Sequence, residues 1–136
     1  MLIIRQEQKD ALIRGTEDEF VEFLVEHVKE RQPGLEEKFD DETLRQRVRA
    51  GLQRAHDNGF STAEDETVFV TLMFKIAPNF DDQKDIRAVF DDETIPVEDR
   101  FDRLTSSTFP KKAWREAKKN YDEAAWQSKF DKTGEN

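Results

Sequence analysis

The sequence predicts an all-α protein, a single compact domain of about five or six helices in bundle-like or orthogonal packing around a helix over residues 61–77. Three observations carry this. Ser61, followed three residues later by Glu64, has the pattern of a capping box, in which hydroxyl and carboxylate each satisfy a backbone N–H at a helix start. Behind it, Val68, Phe69, Leu72, Met73, Ile76 and Ala77 recur at the spacing of one helical face. Elsewhere the apolar residues also fall three and four apart, and no pair of alternating stretches marks a strand pairing. Pro78 disfavours the helical region for its predecessor, so the helix should stop near Ala77.

Taken in order, residues 6–31 read as one helix, with Leu12, Ile13, Phe20, Phe23, Leu24 and Val28 on or near a common stripe. Gly15 is its weak point. Thr16 and Glu19 offer a second capping box there, so a break competes with a continuous helix that carries about 1 kcal/mol of glycine cost, and the continuous helix is expected. Pro33-Gly34 ends it with a strong turn signal.

The next helix starts near Asp40 or Asp41, whose side chains can cap it, and buries Leu44, Val48, Leu52 and Ala55 while Gly51 permits close approach of a neighbour. Arg45, Arg47, Arg49 and Arg54 lie on its solvent face. Asn58-Gly59-Phe60 closes it as a glycine C-cap followed by an apolar residue, and the short link to Ser61 predicts an antiparallel hairpin. Beyond Pro78 the pattern breaks into shorter pieces. Ile86, Val89 and Phe90 mark one helix, Val97, Phe101 and Leu104 another that Pro96 opens, and Ala113, Trp114, Ala117 and Tyr121 a last one after Pro110. Trp126 and Phe130 extend the apolar pattern, so the domain should run over residues 1–130 and leave 131–136 as a frayed tail.

Composition narrows the functional classes. The chain has 136 residues, enough for one core, and 39% of them are charged, with a mean hydropathy of -0.91. Eleven Phe and two Trp supply large buried areas from few positions. The formal net charge of -9 opposes phosphate backbones and anionic membrane surfaces, so neither nucleic acid nor membrane is an expected partner. The charge is uneven, -11 over residues 1–110 against +2 over 111–136. No apolar run approaches a membrane span or a signal-peptide core, and a cytoplasmic location is expected.

No cysteine is present, which removes disulfides, thiolate metal sites and cysteine nucleophiles together. Counting a calcium loop from Asp81 puts Ile86 where the sharp turn needs Gly, and His27 and His56 have no ligand spacing. Phosphate loops and nucleophile elbows are also missing. The residues point to no catalytic group, cofactor or metal, and an enzyme assembled from scattered carboxylates and arginines is the alternative of another class.

Four segments carry a resemblance: residues 1–8 (Met1-Leu2-Ile3-Ile4-Arg5-Gln6-Glu7-Gln8), residues 58–65 with Thr62 and Asp65 as a Thr-x-x-Asp helix start, Leu72-Met73-Phe74 with Ala77-Pro78-Asn79-Phe80-Asp81, and Asp99-Arg100-Phe101-Asp102-Arg103-Leu104. Over most of residues 1–104 their order resembles a group of small α-helical proteins encoded in bacterial type VI secretion and spike-effector neighbourhoods. The resemblance rests on caps, turns and core positions and carries over no catalytic residue. It implies a protein-binding accessory factor, an effector chaperone or co-adaptor, with an immunity protein that neutralises a cognate toxin as the alternative. On that reading the partner is a secreted effector or its adaptor. Glu22 and Glu26, on the solvent face of the first helix, would speed encounter with a basic partner, and Trp126 and Phe130 would serve as aromatic anchors.

Overall fold

The computed structural model describes residues 15–127. Within them lie seven α-helices and three short 3-10 turns, with no strand among the described residues. The helices are α1 (Glu17–Arg31), α2 (Leu35–Lys38), α3 (Asp41–Asp57), α4 (Ala63–Lys75), α5 (Lys84–Phe90), α6 (Arg100–Leu104) and α7 (Lys112–Lys119). The 3-10 turns are Phe80–Asp82, Val97–Asp99 and Glu123–Trp126.

The expected continuous first helix is not what forms. Gly15 has φ +56, in the left-handed region that favours glycine, and the chain enters α1 only after Thr16. Thr16 Oγ1 accepts from Glu19 N at 3.1 Å while Glu19 Oε1 accepts from Thr16 N at 3.1 Å, the reciprocal capping box that the sequence offers at this point. Two satisfied end groups and a permissive turn outweigh a glycine held inside a helix. The expectations for Leu12, Ile13 and the first eight residues lie outside the described residues.

The second correction is smaller and has the same physics. The hairpin link holds two overlapping cap signals, Ser61 with Glu64 and Thr62 with Asp65. The structure uses the later one: Thr62 Oγ1 accepts from Asp65 N at 3.2 Å, and α4 begins at Ala63 and ends at Lys75. Helix α3 follows its sequence signals closely. Asp40 Oδ1 accepts from Thr43 N at 2.8 Å at its start. At its end Gly59 takes φ +90, and Phe60 N donates back to Ala55 O at 3.1 Å as the buried Phe60 ring enters the core. A Cβ on Gly51 would stand 3.1 Å from Val70 Cγ2 and 3.2 Å from Met73 Sδ, so glycine is what lets α3 lie this close to α4.

Directions follow from side-chain pairs. Asp18 meets Arg49, Glu22 meets Arg45 and Asp41 meets Lys29, which sets α1 antiparallel to α3. The short α3–α4 link reverses the chain again, so α1 and α4 run the same way on one side of α3. These exposed pairs fix register more than they add stability.

The core has two parts that share α3 and α4. Phe20, Val21, Leu24, Val25 and Val28 of α1 pack with Leu44, Val48, Leu52 and Val70 in the first. The second is aromatic: Phe60, Phe69, Phe80 and Phe90 form a connected set of ring contacts with centroids 4.9–6.2 Å apart, joined by Met73, Ile86, Leu104, Ala113 and Ala117. Helix α4 faces both parts, Val70 toward one and Phe69 and Met73 toward the other. The expectation of a central helix in this region is met. The short C-terminal elements are held by capping side chains: Gln83 caps α5 through its Oε1 and donates from Nε2 to Glu116 Oε1 at 2.9 Å, and Asn79 bonds both Asn120 O and Asp122 N at 3.0 Å.

Candidate functional site: a cation-rimmed apolar groove

Between α1 and α4, toward their C-terminal ends, lies a groove of about 590 Å³, lined among the described residues by His27, Val28, Arg31, Gln32, Thr67, Val68, Thr71, Leu72 and Lys75. Its floor is apolar for a reason written in the local sequence. α4 and its C-cap Ile76 carry apolar residues at 68, 69, 70, 72, 73, 74 and 76, more than one buried face can take. Phe69, Val70 and Met73 go to the core, while Val68 stays 41% exposed and Leu72 half-buried along the groove. Thr67 and Thr71 each donate their hydroxyl at 2.7 Å to the backbone carbonyl four residues earlier, which commits those hydrogens inside the helix. On α1, the 45% exposed Phe23 stacks on His27 at 5.7 Å between centroids and extends the apolar strip along the helix.

The electrostatics of the groove run opposite to those of the chain. None of the nine lining residues is Asp or Glu, although the sequence has 31 of them. The three long helices carry seven Lys or Arg, and five of these (Lys29, Arg45, Arg47, Arg49 and Arg54) have a carboxylate partner. Arg31 and Lys75, with no carboxylate partner among the described residues, are the remaining two. Both line the groove, at the C-terminal ends of α1 and α4, where cations also offset the helix dipoles.

His27 forms part of the wall. Its Nε2 accepts from Arg31 Nε at 3.2 Å, and burial, followed by the nearby Arg31 charge, holds its pKa below the ordinary value of about 6.5. Because the unfolded chain binds this proton more readily, stability present above pH ~6.5 is lost as the pH falls through that value toward the lower folded midpoint. An NMR titration of His27 should place its midpoint below 6.5, and His27→Gln should flatten the slope of stability against pH in that window. A midpoint at or above 6.5 would contradict the packing described here.

The residues singled out by sequence are placed elsewhere. Glu22 is bonded to Arg45 at 2.5 Å and 3.3 Å, and Glu26 to Lys29 at 3.3 Å, so both belong to ion pairs on α1 and neither lines the groove. Trp126 is 7% exposed: its ring lies 4.7 Å from that of Phe74, its indole N–H donates to Tyr121 Oη at 2.9 Å, and the Arg47 guanidinium sits between it and Phe39. Here Trp126 fastens the C-terminal turn to α3, helped by the Arg47–Glu123 ion pair. Phe130 lies outside the described residues. The arginines of α3, expected on a solvent face, are each engaged by a carboxylate, and Arg54 reaches the buried Asp81 at 2.7 Å. Among the described residues no group of three or more His, Asp or Glu is arranged to hold a metal ion, and no helix is long and apolar enough to cross a membrane.

No family model, curated protein or solved structure matches the chain. The groove has its own chemistry: an apolar floor about two helical turns long, two cations at one end with no carboxylate partner among the described residues, and no Asp or Glu among its described lining residues.

Proposed function

We propose that this chain is a non-enzymatic protein-binding module that docks its partner in the α1–α4 groove. The observation that supports it is the exposure of Phe23 and Val68 beside that groove, in a chain that buries most of its large apolar residues. A helix-and-groove surface of this length suits side chains that project from a partner's secondary structure. The resemblance to proteins of type VI effector neighbourhoods supports the narrower role of effector chaperone or co-adaptor, with immunity protein as the alternative. A chaperone is required for the effector to accumulate or be exported, whereas an immunity protein rescues cells in which mature toxin is active.

Co-expression with the neighbouring gene products, followed by pull-down and toxicity rescue, separates these roles. The expected result is one partner retained by the native chain and released by Val68→Asp, a change at an exposed position that leaves the helical circular dichroism intact. Recovery of no partner, or of one indifferent to Val68→Asp, would count against docking in the groove.

A further inference from the structure

We infer that the occupant of the α1–α4 groove is an acidic amphipathic helix of a partner protein, seated antiparallel to α1 and α4 with carboxylates of its first turn at Arg31 and Lys75. The inference rests on the protein-binding reading and deepens it. Length comes first: the α4 side of the groove runs from Thr67 to Lys75, about 12 Å of helix, which matches apolar anchors at i, i+3 or i+4, and i+7 on a guest. Geometry comes second. With α1 and α4 parallel to one another and both antiparallel to α3, a guest running with α3 would alternate with its neighbours as helices do in an up-and-down four-helix arrangement.

Charge decides the chemistry of the guest. Arg31 and Lys75 are the two cations of the long helices that have no carboxylate partner among the described residues, and none of the described residues lining the groove with them is acidic. A guest that begins with Asp or Glu places those carboxylates where its own helix dipole also favours them, so the same residues stabilise the guest helix and pair with the rim. On this inference the groove holds an acidic segment, whereas the net charge of -9 leads to the expectation of a basic partner: net charge sets long-range encounter, and the lining residues set what is held.

The test uses the full chain and two synthetic helical peptides of about four turns, identical in their Leu anchors, one with a Glu-rich first turn and one with Lys there. The glutamate peptide is expected to bind about tenfold more tightly at low salt, with the difference shrinking as salt screens the rim. Arg31→Glu combined with Lys75→Glu should invert the preference, and Val68→Asp should abolish binding of both. Because the chain has no cysteine, Val68→Cys gives a unique nitroxide site. Broadening of the glutamate peptide's resonances from that label would place it in the groove. Equal affinity for the two peptides, binding of neither, or glutamate-peptide binding insensitive to Val68→Asp would overturn the inference. So would broadening of signals from residues 1–14 without peptide, or concentration-dependent broadening between copies, since each names a different occupant. If the glutamate peptide fails while a Val68-dependent partner is still captured, the charge assignment falls and the docking function stands.

Discussion

Phe69→Ala is expected to lower the free energy of unfolding by about 3–5 kcal/mol, a large part of the roughly 5–15 kcal/mol that holds a domain together. Phe69 is fully buried, and its ring touches Phe60, Phe80 and Phe90 at centroid distances of 5.8, 4.9 and 6.2 Å. Truncation removes a large transfer term and opens a cavity whose walls belong to α4, α5, the α3–α4 link and the 3-10 turn Phe80–Asp82, which cannot all collapse inward together. Leu72→Ala, on the same helix, is expected to cost clearly less, because Leu72 is only half-buried beside the groove. Urea unfolding of both variants, read from the midpoint at unchanged slope, checks the pair. Equal losses would mean that α4 does not divide its faces as described.

Asp81→Ala should be the next most damaging change, at about 2–3 kcal/mol. Asp81 is 2% exposed and accepts from Arg54 Nε at 2.7 Å, Asn58 Nδ2 at 3.1 Å and Arg87 Nη1 at 3.5 Å, joining the end of α3 to α5 through one carboxylate. Removing it leaves two guanidiniums facing an apolar side chain. The loss falls below the roughly 3–5 kcal/mol typical of a broken buried pair because both arginines are partly solvated and keep a second partner, Arg54 with Asp82 and Arg87 with Asp91. Asp82→Ala is the control: its carboxylate is mostly exposed, and its loss should be minor. Comparable effects from the two would contradict a buried role for Asp81.

Helix α3 and Asp81 mark where local sequence signals suffice and where they stop. Helix α3 was legible from Asp40, its 3.6-residue stripe and Asn58-Gly59-Phe60, because each signal acts within one or two turns of itself. At Gly15 and at Ser61-Thr62 two local solutions competed, and the choice turned on backbone geometry that residue types alone leave open. What Asp81 binds lies 27 and 23 residues back, in Arg54 and Asn58, and no periodicity encodes such a distance. The same holds for the α3 arginines: their exposed face could be read, and their partners 23 to 76 residues away could not. The groove left one trace in the sequence. Seven apolar positions between 68 and 76 exceed what one buried face can hold, and that surplus marks an edge left outside the core.

The division of the core has a spectroscopic consequence. Both tryptophans, Trp114 and Trp126, pack in or against the aromatic part, and the three long helices contain none. Intrinsic emission therefore follows the docking of the C-terminal half, whereas most of the helical ellipticity of the described residues comes from α1, α3 and α4. The native chain thus carries two separate reporters without any label. Because α4 contributes side chains to both parts, the two signals should be lost together on heating, and the interval between their midpoints measures how firmly that one helix couples the halves.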